Sequence, residues 1–287
     1  MATKVGIKAS TPLAAYLLVA PGMATIFLLA VVPILFVFRN SFAFSDPYGS
    51  VIGGFTWDNY ATLLSPEYAK TILQSLKLAT INSALCLVVG YLVSNYIVSK
   101  TARRQSLLLL LLIIPFWTDF LVRTYAVMAL LGTGGPVRSS LSFMGIETGN
   151  LLPSQTAVIF GLVYAFLPTA VFPIYASMRG ISASLREAAE DLGCGWWRTH
   201  FLIIMPLCRP GIASAFMLTF IPTLGVFVIP VLLGGGKDLL VGNLIVTLYT
   251  EFRNQPVGAA LSIFILFLMF LMLAVGFISS RLVKRVK

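Results

Sequence analysis

The sequence predicts an all-α integral membrane protein with six transmembrane helices, both termini cytoplasmic, and a helical cytoplasmic loop between helices 4 and 5. Three observations carry that expectation. Of 287 residues, 58% are apolar and only 10% charged, whereas an ordinary soluble domain carries about 25% charged residues. Five charge-free stretches, 9–38, 78–99, 148–178, 210–236 and 254–280, exceed the roughly 20 apolar residues that cross a bilayer as a helix. A sixth, 105–137, is interrupted only by Asp119 and Arg123. Lys and Arg are also distributed unevenly between the intervening loops, which orients the spans.

The helices are expected at about 13–38, 73–98, 106–131, 154–178, 210–233 and 257–281, within a single transmembrane domain over 1–287. The first is too long for a signal-peptide core of about 7–15 apolar residues, and no small-residue cleavage site follows it, so it is expected to stay in the protein. Thirteen of the 20 Lys and Arg, among them Lys4, Lys8, Lys100, Arg103, Arg179, Arg186 and Arg198, fall on one side. Five fall on the other (Arg39, Lys70, Arg138, Lys237, Arg253), and Lys77 and Arg123 lie within spans. The net charge of +10 is thus a topology signal, because a nucleic-acid binder needs its basic residues on one wettable face.

The outer segments are about 39–72, 132–153 and 234–256. The first carries Trp57, Tyr60 and Tyr68, aromatics of the kind that sit at a membrane interface. The third is apolar enough for a short helix lying in the interface plane. Pro168 and Pro173 in the fourth helix, and Pro222, Gly225 and Pro230 in the fifth, mark either hinge or gate elements or ordinary kinks.

Enzyme chemistry finds little support. Cys86, Cys194 and Cys208 form no C-x-x-C and no His/Cys cluster, so neither a disulfide framework nor a metal site is expected. Gly234-Gly235-Gly236-Lys237 fails as a phosphate loop, which would need Gly at Val231 and a hydroxyl at Asp238. His200, the sole histidine, has no Ser or Cys beside it and reads as a loop or interface residue. No loop is large enough for a soluble catalytic domain.

The inner loop at 179–209 is the longest on its side. Ser184-x-x-Glu187 reads as a capping box and Gly193 as a terminator, giving a short helix with Glu187, Glu190 and Asp191 near its positive end. Such a helix is either a solvated amphipathic element or a docking surface for a cytoplasmic partner.

Glu187-Ala188-Ala189, three residues, Gly193, nine residues, then Ile203, one residue, Met205 and Pro206 resembles the EAA loop of ABC-importer permeases, whose pattern ends I-x-L-P. Met205 stands where Leu is usual. Pro115-Phe116-Trp117-Thr118 with Leu121-Val122-Arg123-Thr124-Tyr125, Gly161-Leu162-Val163-Tyr164 with Leu167-Pro168, and Leu224-Gly225-Val226-Phe227 with Leu233-Gly234-Gly235 and Gly242-Asn243 resemble the spermidine/putrescine permease branch. The resemblance implies a multi-pass subunit of the bacterial cytoplasmic (inner) membrane that forms a translocation pathway without catalytic residues of its own. It implies two ABC ATPase subunits, which carry ATP and magnesium, a second, homologous permease subunit, a substrate-binding protein and no cofactor on this chain. It also implies that Glu187, Ala188, Ala189, Gly193, Ile203 and Pro206 couple to an ATPase, with surrounding lipid and no nucleic acid as partner.

Intramembrane charges are costly and mark candidate sites. Asp119 and Arg123, four residues apart on one helical face, are expected either to neutralise one another or to leave Asp119 facing the pathway, where Trp117 or Tyr125 could add cation–π attraction to an amine. Tyr164, Pro222 and Phe227 complete the candidate pathway set. Polyamine leads as substrate, although Val231 stands where an acidic residue is expected in polyamine permeases. The alternative is an opine, amino-acid derivative or organophosphonate, for which Arg123 and Lys77 would be first suspects. An ion-coupled carrier would show several buried ionisable groups and an inverted repeat; an embedded enzyme would show a polar cluster at one depth; a scaffold would not explain the EAA spacing.

Overall fold

A computed structural model of the chain describes residues 12–46, 49, 51–145, 149, 151–236 and 240–285, with side chains described between 19 and 274. Lys4, Lys8, Lys237 and Asp238 lie outside these residues. The described residues are almost wholly helical. In order they are α1 (Pro12–Asn40), a hairpin of β1 (Phe44–Ser45) and β2 (Val51–Ile52), α2 (Asp58–Leu63), α3 (Pro66–Val98), α4 (Ala102–Ile113), a 3-10 turn (Ile114–Trp117), α5 (Phe120–Leu131) and α6 (Pro136–Phe143). Then follow α7 (Gln155–Arg179), α8 (Ala183–Asp191), α9 (Trp196–Thr199), a π turn (His200–Ile204), α10 (Met205–Leu207), α11 (Arg209–Gly225), α12 (Val228–Gly234), α13 (Val241–Thr250) and α14 (Gln255–Arg285).

Five stretches are long and apolar enough to cross a bilayer, and a sixth is the pair Trp196–Leu207 and Arg209–Gly225, bent by 74°. The six-helix expectation therefore holds in number, with three corrections in detail. The second span starts at Pro66 rather than near 73, because proline at the first helical position has its φ already set and no N–H to satisfy. The third is not one helix over 106–131. It stops at Ile113, passes through the proline-containing turn and the extended Thr118 and Asp119, and restarts at Phe120. The fifth is likewise split, with Val226 extended between α11 and α12. Pro230 accounts for the position, since its ring crowds the carbonyl four residues back, at Val226. The fourth, by contrast, runs unbroken through Pro168 and Pro173.

The chain divides into two compact units, Met1–Leu64 with Thr247–Leu266, and Ser65–Val246 with Phe267–Lys287. In the first, the β1–β2 pair is antiparallel, with Phe44 opposite Ile52. Asn59 donates to the carbonyls of Ser41 and Ala43 at 3.0 and 2.9 Å, tying α2 to the end of α1. Phe42 is the hub of an aromatic cluster with Phe38, Phe55, Trp57 and Tyr60, ring centroids 4.9–5.3 Å from its own.

In the second unit α3, α7 and α11 pack on one another. Small residues permit the close approach, as usual where lipid offers no hydrophobic drive between helices. A Cβ on Gly211 would lie 2.6 Å from the Pro173 carbonyl oxygen. Hydrogen bonds join the three: Asn82 Nδ2 donates to Thr223 Oγ1 at 2.8 Å, and Ser94 Oγ donates to the Val171 carbonyl at 3.0 Å. The short helix expected in the third outer segment exists as α13, and its first turn packs into the chain. Val241, Asn243 and Leu244 are buried, the Val241 N–H donates to Ser75 Oγ at 2.8 Å, and Gly242 abuts the carbonyls of Gly225 and Val226.

Candidate functional site

The loop between the fourth and fifth spans folds into two helical pieces. The first, α8, begins two residues earlier than the capping box implies: Ser182, not Ser184, is the N-cap, its hydroxyl accepting from the Ser184 N–H. Ser184 instead meets Ser182 Oγ at 2.7 Å. Gly193 ends the helix as expected. It adopts φ +74°, where a side chain is strained, and its N–H donates to Glu190 while Cys194 N–H donates to Ala189, the paired closure of a Schellman motif. With helix limits of 183 and 191, Glu190 and Asp191 stand in the last turn, at the negative end of the helix dipole. This corrects the expectation that they sit near its positive end. Glu187 and Ala188 are exposed, whereas Ala189 is buried and packs into its own chain.

A polar tie holds α8 to the ends of the bundle helices. Arg186 Nη2 donates to Asn95 Oδ1 on α3 at 3.3 Å. Gln105 on α4 donates to the carbonyls of Val98 and Lys100 and accepts from Tyr175 Oη of α7 at 2.9 Å. The last turn of α3, the first of α4 and the last of α7 are thereby fixed together, close to where α8 departs.

The second piece, from Trp196 to Leu207, carries Ile203 and Pro206. The missing N–H of Pro206 coincides with a widening of the helix to π geometry over His200–Ile204, with Met205 N–H donating five residues back to His200. Ile204 and Cys208 pack into a core with Cys86, Tyr91, Ala170, Ile174 and Met178. His200 is buried, its Nδ1 2.9 Å from Tyr91 Oη and its ring 4.3 Å from that of Trp196. It is a structural core histidine rather than a loop or interface residue.

The two broken spans meet one apolar cluster. Val226, Ile229 and Leu233 of the fifth span pack with Val127, Leu162 and Val158, and Phe120 and Tyr164 lie against the same cluster. Asp119 does not pair with Arg123. It caps α5, its carboxylate accepting from the Leu121 N–H at 2.8 Å. The Arg123 guanidinium lies instead over the rings of Phe116 and Phe120, at 4.5 and 5.9 Å, and its Nε and Nη1 are buried with no hydrogen-bond partner. Arg123 and Tyr164 are brought together with Thr124 and Gly161 around a small cavity. Trp117, Asp119, Tyr125, Pro222 and Phe227 are all exposed. Near the start of α7, Gln74, Lys77 and Gln155 line a mainly apolar cavity of about 170 Å³ with Gly234 and Leu240.

Residues 12–287 match the family of binding-protein-dependent transport system inner membrane components. The chain belongs to that family. It is therefore a multi-pass inner-membrane component and a permease of a binding-protein-dependent transport system. Curated relatives include the spermidine/putrescine transport system permease PotB of Escherichia coli K12, 40% identical over 255 residues that cover 88% of this chain and 93% of the relative. PotB of Haemophilus influenzae is 36% identical, covering 88% and 90%. Among solved structures, a chain of the bacterial alginate ABC transporter in complex with an alginate-loaded periplasmic protein superposes with a TM-score of 0.75 over 94% of both chains at 16% identity, which establishes a shared fold.

In this permease the sequence motif residues of the loop fall into two groups. Glu187, Ala188 and Gly193 present a free surface, while Ala189, Ile203 and Pro206 are wholly or partly packed within the chain. Two features escaped the sequence. The Tyr91–His200 contact spans 109 positions, and no local pattern links them. Phe116 under Arg123 was visible only as a member of the Pro-Phe-Trp-Thr run, because the turn that folds it back over Arg123 follows from the helix break.

Proposed function

We propose that this permease forms, with a second permease subunit, the pathway of an ATP-driven importer for a polyamine such as spermidine or putrescine. The observation that carries the substrate class is the 40% identity, spread over 88% of the chain, to permeases named for spermidine/putrescine transport. Two ATPase subunits would carry ATP and magnesium, a binding protein would deliver substrate at the outer side, and this chain would hold no cofactor. Thirteen cations on one side support cytoplasmic termini and a cytoplasmic α8. On this reading α8 docks on an ATPase through Glu187, Ala188 and the Gly193 stop, with Ala189, Ile203 and Pro206 setting its position. Trp117, Asp119, Tyr125, Tyr164, Pro222 and Phe227 face the pathway.

Docking is tested by Glu187→Ala and Gly193→Asp in the assembled transporter. Each is expected to weaken ATPase association or uncouple hydrolysis from uptake while membrane insertion is normal; normal transport by both variants refutes the assignment. Substrate class is tested by ligand-stimulated ATPase activity of the purified complex with a polyamine panel and a panel of opines and phosphonates. The second panel addresses an anionic solute, a reading favoured by the unpaired Arg123 nitrogens and by Lys77 at the edge of a cavity. Stimulation by polyamines alone supports the first reading, and stimulation by the other panel alone replaces it.

A further inference from the structure

Beside the coupling loop lies a groove that neither docking nor transport explains. It runs between α3 and the Trp196–Leu207 arm, encloses about 370 Å³, and is walled by Leu87, Val88, Leu92, Phe201, Met205 and Ile212. That volume is within the about 300–1,000 Å³ of small-molecule sites. Its two polar side chains, Tyr91 and His200, hydrogen-bond to each other, so the wall offers almost nothing to a polar ligand. A protein partner of ordinary kind would need about one hydrogen bond per 100–200 Å² of interface; a hydrocarbon chain needs none.

The rim supplies what the wall lacks. Trp196 and Trp197 are 48% and 68% exposed, as befits the membrane–water boundary. Arg198, next to them, and Arg209, at the far end of the arm, are both exposed. Arg186 is held on Asn95, one helical turn beyond Tyr91 along α3, and so places a further cation at the same end of the groove. No Asp or Glu occurs between Asp191 and Asp238. An apolar slot ending in tryptophans and arginines, with the nearby acids Glu187, Glu190 and Asp191 confined to α8, matches the two halves of an anionic lipid, since basic pockets beside membrane helices bind acidic headgroups.

We propose that this groove binds an acyl chain of an anionic phospholipid, with its phosphate at Arg186 and Arg198. The site adjoins α8, so occupancy fixes the angle at which the arm leaves the bundle. The proposal rests on inner-membrane membership and not on the substrate class.

The test uses the assembled transporter in vesicles containing phosphatidylglycerol or phosphatidylcholine with a photoreactive group in the tail, followed by mass-spectrometric mapping of adducts. Labelling is expected to concentrate in 87–92 and 196–205 with phosphatidylglycerol and to fall about fivefold with phosphatidylcholine or in Arg198→Gln, the worth of one juxtamembrane cation. Val88→Phe, at a residue 61% exposed, should fill the slot and remove the labelling. Equal labelling by both lipids, or adducts spread evenly over α1 and the groove, overturns the proposal in favour of unselective surrounding lipid. Labelled α1 with an unlabelled groove overturns it in favour of a protein cover. The comparison of lipids on the unmodified protein stands even where a variant fails to assemble.

Discussion

The fourth and fifth spans carry similar breaking residues and answer them differently. Helix α7 has Pro168 and Pro173 in its interior and stays whole; α11 contains Pro222, also stays whole there, and ends only at Gly225. A proline removes one N–H and crowds one carbonyl, and its surroundings decide whether the helix absorbs that. Around α7 they do: it is wedged between α3 and α11 along its length, which leaves it no room to bend away from its prolines. Beyond Gly225 the carbonyls face Gly242 of α13 instead, and the chain extends at Val226. In this chain the proline-bearing helix stays whole where two neighbouring helices pack along it and breaks where it meets α13.

If that contrast is right, substitutions in the packed region should act on stability and those at the breaks on transport. Gly211→Val is expected to have the largest effect, because its side chain would meet the backbone of α7 at Pro173; a loss of about 3 kcal/mol would appear as a lowered thermal midpoint of the detergent-solubilised transporter. Tyr91→Phe comes next. It strips the buried His200 nitrogen of its partner, at a cost of about 1–2 kcal/mol, by the same measurement. Asp119→Ala removes the cap of α5 and is expected to cost about 1 kcal/mol, whereas Asp119→Asn keeps the cap and should change stability by less than about 0.5 kcal/mol. Polyamine uptake then separates roles: loss of affinity in Asp119→Asn assigns the charge to the pathway, and unchanged affinity and rate leave it a cap. Gly225→Ala has the smallest expected effect on stability, a few tenths of a kcal/mol, since no atom lies within 4 Å of the added carbon. Uptake should nevertheless fall if the break must be free to straighten, and uptake equal to that of the unmodified protein would show the break to be passive.

The six spans could be read from hydropathy because about 20 apolar residues in a row leave few alternatives. Their interruptions could not. Asp119 was readable as an intramembrane acid and as a neighbour of Arg123, but its carboxylate prefers the nearby backbone N–H of Leu121, and that choice both starts α5 and leaves Arg123 to the aromatic rings. In the loop, Gly193 was legible because a left-handed stop is a local property of one residue. The start of α8 was not, since Ser182 and Ser184 are both able caps; Glu190 and Asp191, just before the Gly193 stop, lie at the negative pole with either one. His200 was set aside for want of a sequence neighbour, and its partner lies on a helix more than a hundred residues away.

The 74° elbow between the Trp196–Leu207 arm and α11 determines what kind of motion can pass between them. The cosine of 74° is about 0.28, so little of a displacement directed along the arm projects onto the axis of α11. Most of it arrives broadside. A thrust along the arm therefore works as a crank, tipping the fifth span sideways about its packed face on α7, rather than as a piston that slides it through the bilayer.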